Sequence, residues 1–543
     1  MLSVKINGDG ALIASHCTCS SVALTGDAAA VGTTVQAAPE EHSTTSYGQI
    51  LKSSALVGGS QVANIAIGII RTKAMAMLLG PAGFGLFGLY GSIQNLTQSV
   101  AGMGINSSGV RQIAEAVGTG DRIRIAQTAA VLRRTAVVLG LFGAVLLALF
   151  SRQISRLTFG STERTAAVAL LSAAVFFTLV AGGQGALIQG TRRIADLAKM
   201  NVLGALFGLC ASLPLVYFFR EKGVVPSIVV VAGMGILTSW WYSRKIEIEP
   251  AAATFSELRQ EALALLKLGS AFMASGLMTL GVAYSVRVMI LRQLGFEATG
   301  LYQSAWTLGG LYVGFILQAM GADFYPRLTA SIHDNPEANR LVNEQTLIGL
   351  LLAGPGVIAT LSFAPLVIAL FYSAKFTAAV GLLRWITLGA MLQVITWPMG
   401  FIIVAKGNQT IFFLAEFAWS VVAIALAWIC LRVFGLNGAG IAFFGSYVFH
   451  ACLIYPLVRR LSDFRWSRRN IQYGVSLLFF VGTVFCATAF LPPRIAAVFG
   501  ALGIAATVIF SVRCLLDLFY IDQLPSSLRR YMAMVGVLSL PSA

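Results

Sequence analysis

From about residue 51 onward the chain is a succession of apolar stretches of roughly 20–30 residues, broken by short polar connections. About 20 apolar residues, wound as a helix, cross the hydrocarbon core of a bilayer. The pattern predicts fourteen such spans, at 51–79, 84–110, 127–150, 165–190, 197–219, 224–243, 262–291, 299–325, 346–373, 380–404, 411–433, 438–458, 471–491 and 495–517. A bilayer offers no water to unpaired peptide groups, so the spans are helices. A membrane barrel would need segments of ~10 residues with alternating polarity, and the chain lacks that alternation. The expected fold is an all-α polytopic membrane protein.

Composition supports this reading. Hydrophobic residues make up 57% of the chain and charged residues 11%, and the mean hydropathy is +0.80. The net charge of +16 is not a nucleic-acid signature, because the basic residues sit between spans instead of along one soluble face. Seven cysteines contain no CxxC pair, so neither a zinc site nor a disulfide framework is expected. No cofactor is expected either: there is no GxxxxGK[ST] phosphate loop, and no HExxH or GxSxG motif. Residues 1–47 are rich in Ala, Ser, Thr and Gly and lack the basic and apolar regions of a signal peptide. They are expected to form a disordered cytoplasmic tail or to stem from an upstream start site.

Loop charge sets orientation. With a cytoplasmic N-terminus, the even-numbered connections, counted with the three residues on either side, carry seventeen Lys and Arg residues against nine on the odd-numbered ones. Both termini are then cytoplasmic. The segment near 245–261 reads as a linker between two similar parts. Leu79-Gly80-Pro81-Ala82-Gly83-Phe84-Gly85-Leu86-Phe87 and Leu294-Gly295-Phe296-Glu297-Ala298-Thr299-Gly300-Leu301-Tyr302 match without a gap at a constant offset of 215. Met103-Gly104 and Met320-Gly321 match at 217. Six spans separate the copies, so both parts enter the membrane in the same sense, as in parallel repeats about an axis along the membrane normal. The expected organisation is an N-lobe at 48–244, the linker at 245–261, a C-lobe at 262–460, two further helices within 461–517 and a cytoplasmic tail at 518–543. Gly204-x-x-x-Gly208 and Gly310-x-x-x-Gly314 have the spacing of close helix packing.

Two segments carry a resemblance. Leu79–Tyr90 is similar to the first loop and second helix of bacterial polysaccharide flippases, and Gly435-Leu-Asn-Gly-Ala-Gly-Ile-Ala442 to the glycine-rich entry of their twelfth helix. The family belongs to the multidrug/oligosaccharidyl-lipid/polysaccharide exporter superfamily, and the likeness extends over about 48–460, more loosely to 517. It implies two six-helix lobes around a central cavity and alternating access in the bacterial inner membrane. The implied cargo is an undecaprenyl-diphosphate-linked oligosaccharide, such as an O-antigen, common-antigen or exopolysaccharide repeat unit, with the lipid tail outside the cavity. Membrane lipids and other polysaccharide-assembly proteins are the implied partners, and the resemblance fixes no oligomeric state. It implies no catalysis.

Such a cargo needs cations for phosphate and polar groups for sugars. Arginine's planar fork suits phosphate. Charges inside spans or at their ends are costly and therefore candidates: Arg71 and Lys73 in the first span, Arg287 in the seventh and Arg292 at its end. Arg71 precedes Gly80 by nine residues and Arg287 precedes Gly295 by eight, which places one arginine in each lobe at similar depth. They either share the diphosphate or snorkel to the membrane surface. Gln94, Asn95 and Gln98 in the second span are open to sugar contacts or to helix–helix hydrogen bonds. Acids inside spans are few. Asp323 lies near the end of the eighth. Glu416 either pairs with Lys406 or faces the cavity as a coupling site. His450 is read as a packed or lipid-interface residue, not a ligand. A cation-coupled multidrug antiporter of the same superfamily would place acids in its cavity, whereas this chain offers arginines. An O-antigen polymerase or ligase would carry a large external loop, which is lacking here.

Overall fold

A computed structural model describes residues 42–246 and 255–518 of the chain. Most of the expected tail at 1–47, part of the linker at 245–261 and all but the first residue of the expected tail at 518–543 lie outside the described residues, as does the side chain of Asp323. The described chain is helical throughout its ordered elements, with no strand.

The first half contains α1 (His42–Gly102), α2 (Ile105–Thr119), α3 (Arg122–Leu149), α4 (Ser151–Phe159), α5 (Thr165–Gly190), α6 (Ile194–Phe219) and α7 (Val224–Ser243). The second contains α8 (Phe255–Ala330), α9 (Asn335–Ser362), α10 (Ala364–Phe371), α11 (Val380–Ala405), α12 (Gln409–Phe434) and α13 (Asn437–Ser462). Two more helices, α14 (Arg468–Phe490) and α15 (Pro493–Leu518), pack on α9. Eleven described segments are long and apolar enough to cross a membrane. Three of them, Gly58–Gly102, Ile194–Ser243 and Gly276–Gly314, contain 45, 50 and 39 residues. At 1.5 Å per residue each is long enough for two passes, which restores the fourteen of the hydropathy pattern. Large apolar side chains such as Phe142, Phe218, Phe417, Phe479 and Leu502 stand exposed on the outside of the helices, as lipid contact requires.

α1 and α8 fold back on themselves. The turns fall on Gly80 (φ 66°, ψ −176°) and Gly295 (φ 86°, ψ −177°), in the left-handed region that glycine tolerates. Arg71 lies over the ring of Phe87 at 5.7 Å, and Arg287 over that of Tyr302 at 5.5 Å. Residues fifteen or sixteen apart on a straight helix would be more than about 20 Å apart, so the chain reverses at each glycine.

The repeat runs much further than those loops. α5 and α11 contain 26 residues each and begin 215 apart, and the same holds for α6 and α12. Left-handed residues recur at Arg192 (φ 57°) and Gly407 (φ 73°), and again at Arg220 (φ 51°) and Gly435 (φ 57°), both pairs 215 apart. A side chain at Gly223 would strike the carbonyl of Leu215, and one at Gly438 that of Cys430; these too are partners at the same offset. One difference breaks the repeat. Met103 (φ 43°) and Gly104 (φ 67°) separate α1 from α2, whereas α8 stays helical through Met320 and Gly321.

Helix ends differ from the apolar spans where polar caps set them. α9 begins at Asn335, where the Asp334 carboxylate accepts from the amide of Glu337, about three turns before the expected span at 346. Hydropathy marks hydrocarbon depth, and the N-cap marks where the helix starts. Small residues bring helices together: Gly204 and Gly208 of α6 lie against Thr238 and Val231 of α7. Gly310 and Gly314 do not pack in this way and line a cavity instead.

The halves are clasped at the end that carries the Gly80 and Gly295 turns. Arg292 donates from Nη2 to the carbonyls of Arg156 (2.6 Å) and Leu157 (2.8 Å) and from Nε to that of Thr158 (3.3 Å). The Thr158 and Tyr284 hydroxyls are hydrogen-bonded at 2.6 Å. Arg164 lies over Phe159 at 5.4 Å and Phe296 at 5.0 Å. Arg220 of this end donates to the Leu78 carbonyl, and Arg432 stacks on Trp428 at 3.9 Å. Several basic residues on the charge-poor side of the membrane are thus held by protein groups.

Candidate functional site

Each half encloses a cavity, and the two cavities occupy equivalent positions of the repeat. Thr178, Gly204 and Val231 line the first; their partners at the repeat offset, Gln393, Trp419 and Ser446, line the second. The first is the larger, about 500 Å³ against about 230 Å³. A physical reason is visible at one pair: the first half has Gly204 where the second has the indole of Trp419.

The first cavity is polar and cationic. Arg71 reaches it from α1, among Asn106 of α2, Thr178 and Gln189 of α5, Asn201 of α6, and Thr238 and Ser239 of α7. Arg71 is the sole charged residue in this lining, and no acid accompanies it. Its Nε is buried with no hydrogen-bond partner, and its one described partner is the face of Phe87. Ser239 donates to Gln184 Oε1 at 2.6 Å, which orients that wall. A guanidinium left without an acceptor in a polar cavity can take up an anion by paired, charge-assisted hydrogen bonds.

Arg287 is placed differently. It is 6% exposed. Its Nε donates to Gln303 Oε1 at 2.9 Å and its Nη1 to the Ala283 carbonyl at 2.9 Å. Tyr302 and Trp306 cover it, with ring centres at 5.5 and 5.7 Å. The lining of the second cavity contains Val286, Tyr302, Trp306, Phe443 and Tyr447, and omits Arg287. Val286, not Arg287, is the repeat partner of Arg71, and one residue along a helix is a rotation of about 100°. The repeat therefore brings the two arginines to similar depth without opening both to a cavity.

The other sequence candidates divide. Lys73 is half-buried, with no side-chain partner among the described residues. Arg292 serves the clasp. Gln94 donates to Thr178 Oγ1 at 3.4 Å, beside the first cavity. Asn95 is exposed, and Gln98 Nε2 is buried without a partner. Lys406 bonds Asn335 Oδ1 at 2.7 Å, so the pairing with Glu416 is not formed. Glu416 instead faces His450, whose Nε2 lies 4.0 Å from its Oε1. His450 is packed, as expected, at 9% exposure. Sequence reasoning missed Asn106, Gln189, Asn201, Thr238 and Ser239. Their signal was weak, because single polar residues in apolar helices serve helix–helix bonds equally well. No cluster of metal-ligating side chains is found among the described residues.

These features define the class: a multi-pass α-helical membrane protein built on a duplicated unit, with a cavity in each copy. The family model described as "Polysaccharide biosynthesis protein" matches residues 74–381, more than half of the chain, and the chain belongs to that family. It is 23% identical over 428 residues to the "Lipid III flippase" of Escherichia coli (strain K12), covering 76% of this chain and 99% of that protein. It is 23% identical over 398 residues to the "Putative O-antigen transporter" of Shigella flexneri, covering 71% and 92%. Among solved structures, the lipid II flippase MurJ in an inward closed conformation superimposes with a TM-score of 0.64 at 16% identity, covering 85% of this chain and 99% of that one. An inward-facing multidrug resistance transporter of the MATE family gives 0.61 at 15%, covering 74% and 98%. Both share the fold.

Proposed function

We propose that this protein moves a lipid-linked oligosaccharide carrying a diphosphate across the bacterial inner membrane by alternating access. The observation that carries the reading is the first cavity: polar, free of acids in its lining, and headed by an arginine whose Nε has no acceptor. A multidrug antiporter working on cations would need the opposite charge there. The names of the curated relatives, a lipid III flippase and a putative O-antigen transporter, agree with an anionic glycolipid as cargo.

In this reading Arg71 takes the phosphate, and Asn106, Gln189 and Asn201 offer hydrogen bonds to sugar hydroxyls. Arg287 exchanges Gln303 for phosphate when the halves rearrange, and Lys73 adds positive potential near Arg71. The halves 48–244 and 262–460 are the moving bodies, and the segment 461–517 accompanies the second. Both termini face the cytoplasm, which puts the Gly80 and Gly295 turns at the periplasmic face. The protein makes and breaks no covalent bond.

The test is genetic and chemical. Deletion of the gene should leave lipid-linked repeat units on the cytoplasmic side, and the wild-type chain should restore export. Arg71→Ala at normal protein level should fail to restore it. Export at wild-type level by that variant would remove Arg71 from the site.

A further inference from the structure

Glu416 and His450 have no use in cargo binding as described above. They sit in the second half, one on α12 and one on α13, on helices that pack together. Their repeat partners in the first half are Asn201 and Gly235, and both of these line the Arg71 cavity. Where the first half has a neutral, open wall, the second half has a carboxylate and an imidazole.

The pair is incompletely satisfied. The 4.0 Å between Glu416 Oε1 and His450 Nε2 is too long for a hydrogen bond. His450 Nδ1 and, beside it, Trp419 Nε1 are both buried without a partner. Trp419 and Tyr447 meet the imidazole ring at 6.3 and 5.9 Å, and with Ser446 they line the second cavity. Unfilled hydrogen-bonding groups around an acid–base pair, next to a cavity, mark a place for an exchangeable proton and its water.

We propose that Glu416 and His450 form a proton-binding site that loads and empties as the protein changes conformation, coupling cargo movement in the first half to a proton gradient. This rests on the transporter reading. With neutral imidazole and ionised carboxylate the site carries one negative charge and is stable only while it meets water. Binding one proton gives either imidazolium beside carboxylate or a neutral acid beside neutral imidazole. Both are uncharged overall and can be enclosed among apolar helices. The loaded site therefore permits the closed intermediate that the empty site resists. The proton is taken from water on one face and returned to water on the other.

The neighbours leave the charge balance to these two groups. α13 contributes Tyr447 and Ser446, α12 contributes Trp419, and α11 contributes Gln393 to the adjoining cavity. α8 contributes Arg287, which is held by Gln303, and at the end of α11 Lys406 is held by Asn335. No second carboxylate among the described side chains faces the pair.

The test uses the full-length chain in lipid nanodiscs without cargo. Spin labels at Arg122 and Arg460, exposed positions in the two halves, report the distance between them. Between about pH 4 and 8 the ratio of the two distance populations should change about tenfold, a typical coupling. Glu416→Gln and His450→Gln should each flatten the response. If Glu416→Gln does not fold, Glu416→Asp keeps the carboxylate and should move the midpoint. A wild-type distance insensitive to pH, or an unaltered response in these variants, overturns the proposal. Failure of the cargo assignment would appear instead as normal glycolipid export in the deletion strain, with the pH response intact.

Discussion

Gly85 and Gly300 lie against each other across the seam between the two halves, each in the place the repeat assigns to the other. A side chain at Gly85 would meet the Phe296 carbonyl oxygen and the Gly300 amide; one at Gly300 would collide with the Pro81 carbonyl oxygen and approach the Gly85 amide. Pro81 and Phe296 are themselves partners in the repeat. The contact is reciprocal, as a two-fold axis through the seam requires. The glycines are needed here for close approach between backbones.

Gly300→Ala should therefore strain the seam by about 1–3 kcal/mol, the usual range for overpacking. Gly310→Ala, where nothing stands within 4 Å of the added carbon, should have little effect. Thermal unfolding of the two variants in detergent separates them; equal transition temperatures would deny the close contact.

Gln303 holds Arg287, and Gly88 leaves it room, since a side chain at Gly88 would meet Gln303 Oε1 at 2.6 Å. Gln303→Leu should cost about 1.5–3 kcal/mol, the value of a hydrogen bond to a charged group, because it strands a buried cation. Gln303→Glu should restore or raise stability by supplying a counter-charge. A Gln303→Leu variant as stable as wild type would mean that Arg287 is not held by Gln303.

The clasp predicts a third pair of results. Arg292→Ala and Thr158→Val remove the bonds from Arg292 to the end of α4 and from Thr158 to Tyr284. Each should increase thiol labelling of a cysteine placed at Phe296 in an otherwise cysteine-free chain. Labelling unchanged in both would show that the seam does not depend on these bonds.

Much of this architecture was legible in the chain. The fourteen passes follow from apolar length, and the turns at Gly80 and Gly295 follow from a gapless match. Later partners at the same offset, Arg192 with Gly407 and Arg220 with Gly435, were hidden because arginine stands where its copy has glycine. The repeat there persists in backbone dihedral angles instead of side-chain identity. The site was only partly legible. Arg71 could be found as a charge inside a span, but the one-residue rotation that turns Arg287 onto Gln303 is invisible until the helices are placed. Along the chain Glu416 stands near Lys406, ten positions earlier; its neighbour in space is His450, on the next helix. Position along the chain says little about partners once helices pack side by side.

The most direct test of the central idea is binding to the purified full-length protein in nanodiscs. Titration with an undecaprenyl-diphosphate-linked oligosaccharide should show saturable binding that weakens at least about tenfold in Arg71→Ala, the loss of one charge-assisted contact, and is largely recovered in Arg71→Lys. Equal affinity in wild type and Arg71→Ala, with both proteins folded, would contradict an arginine-headed cavity as the seat of the cargo.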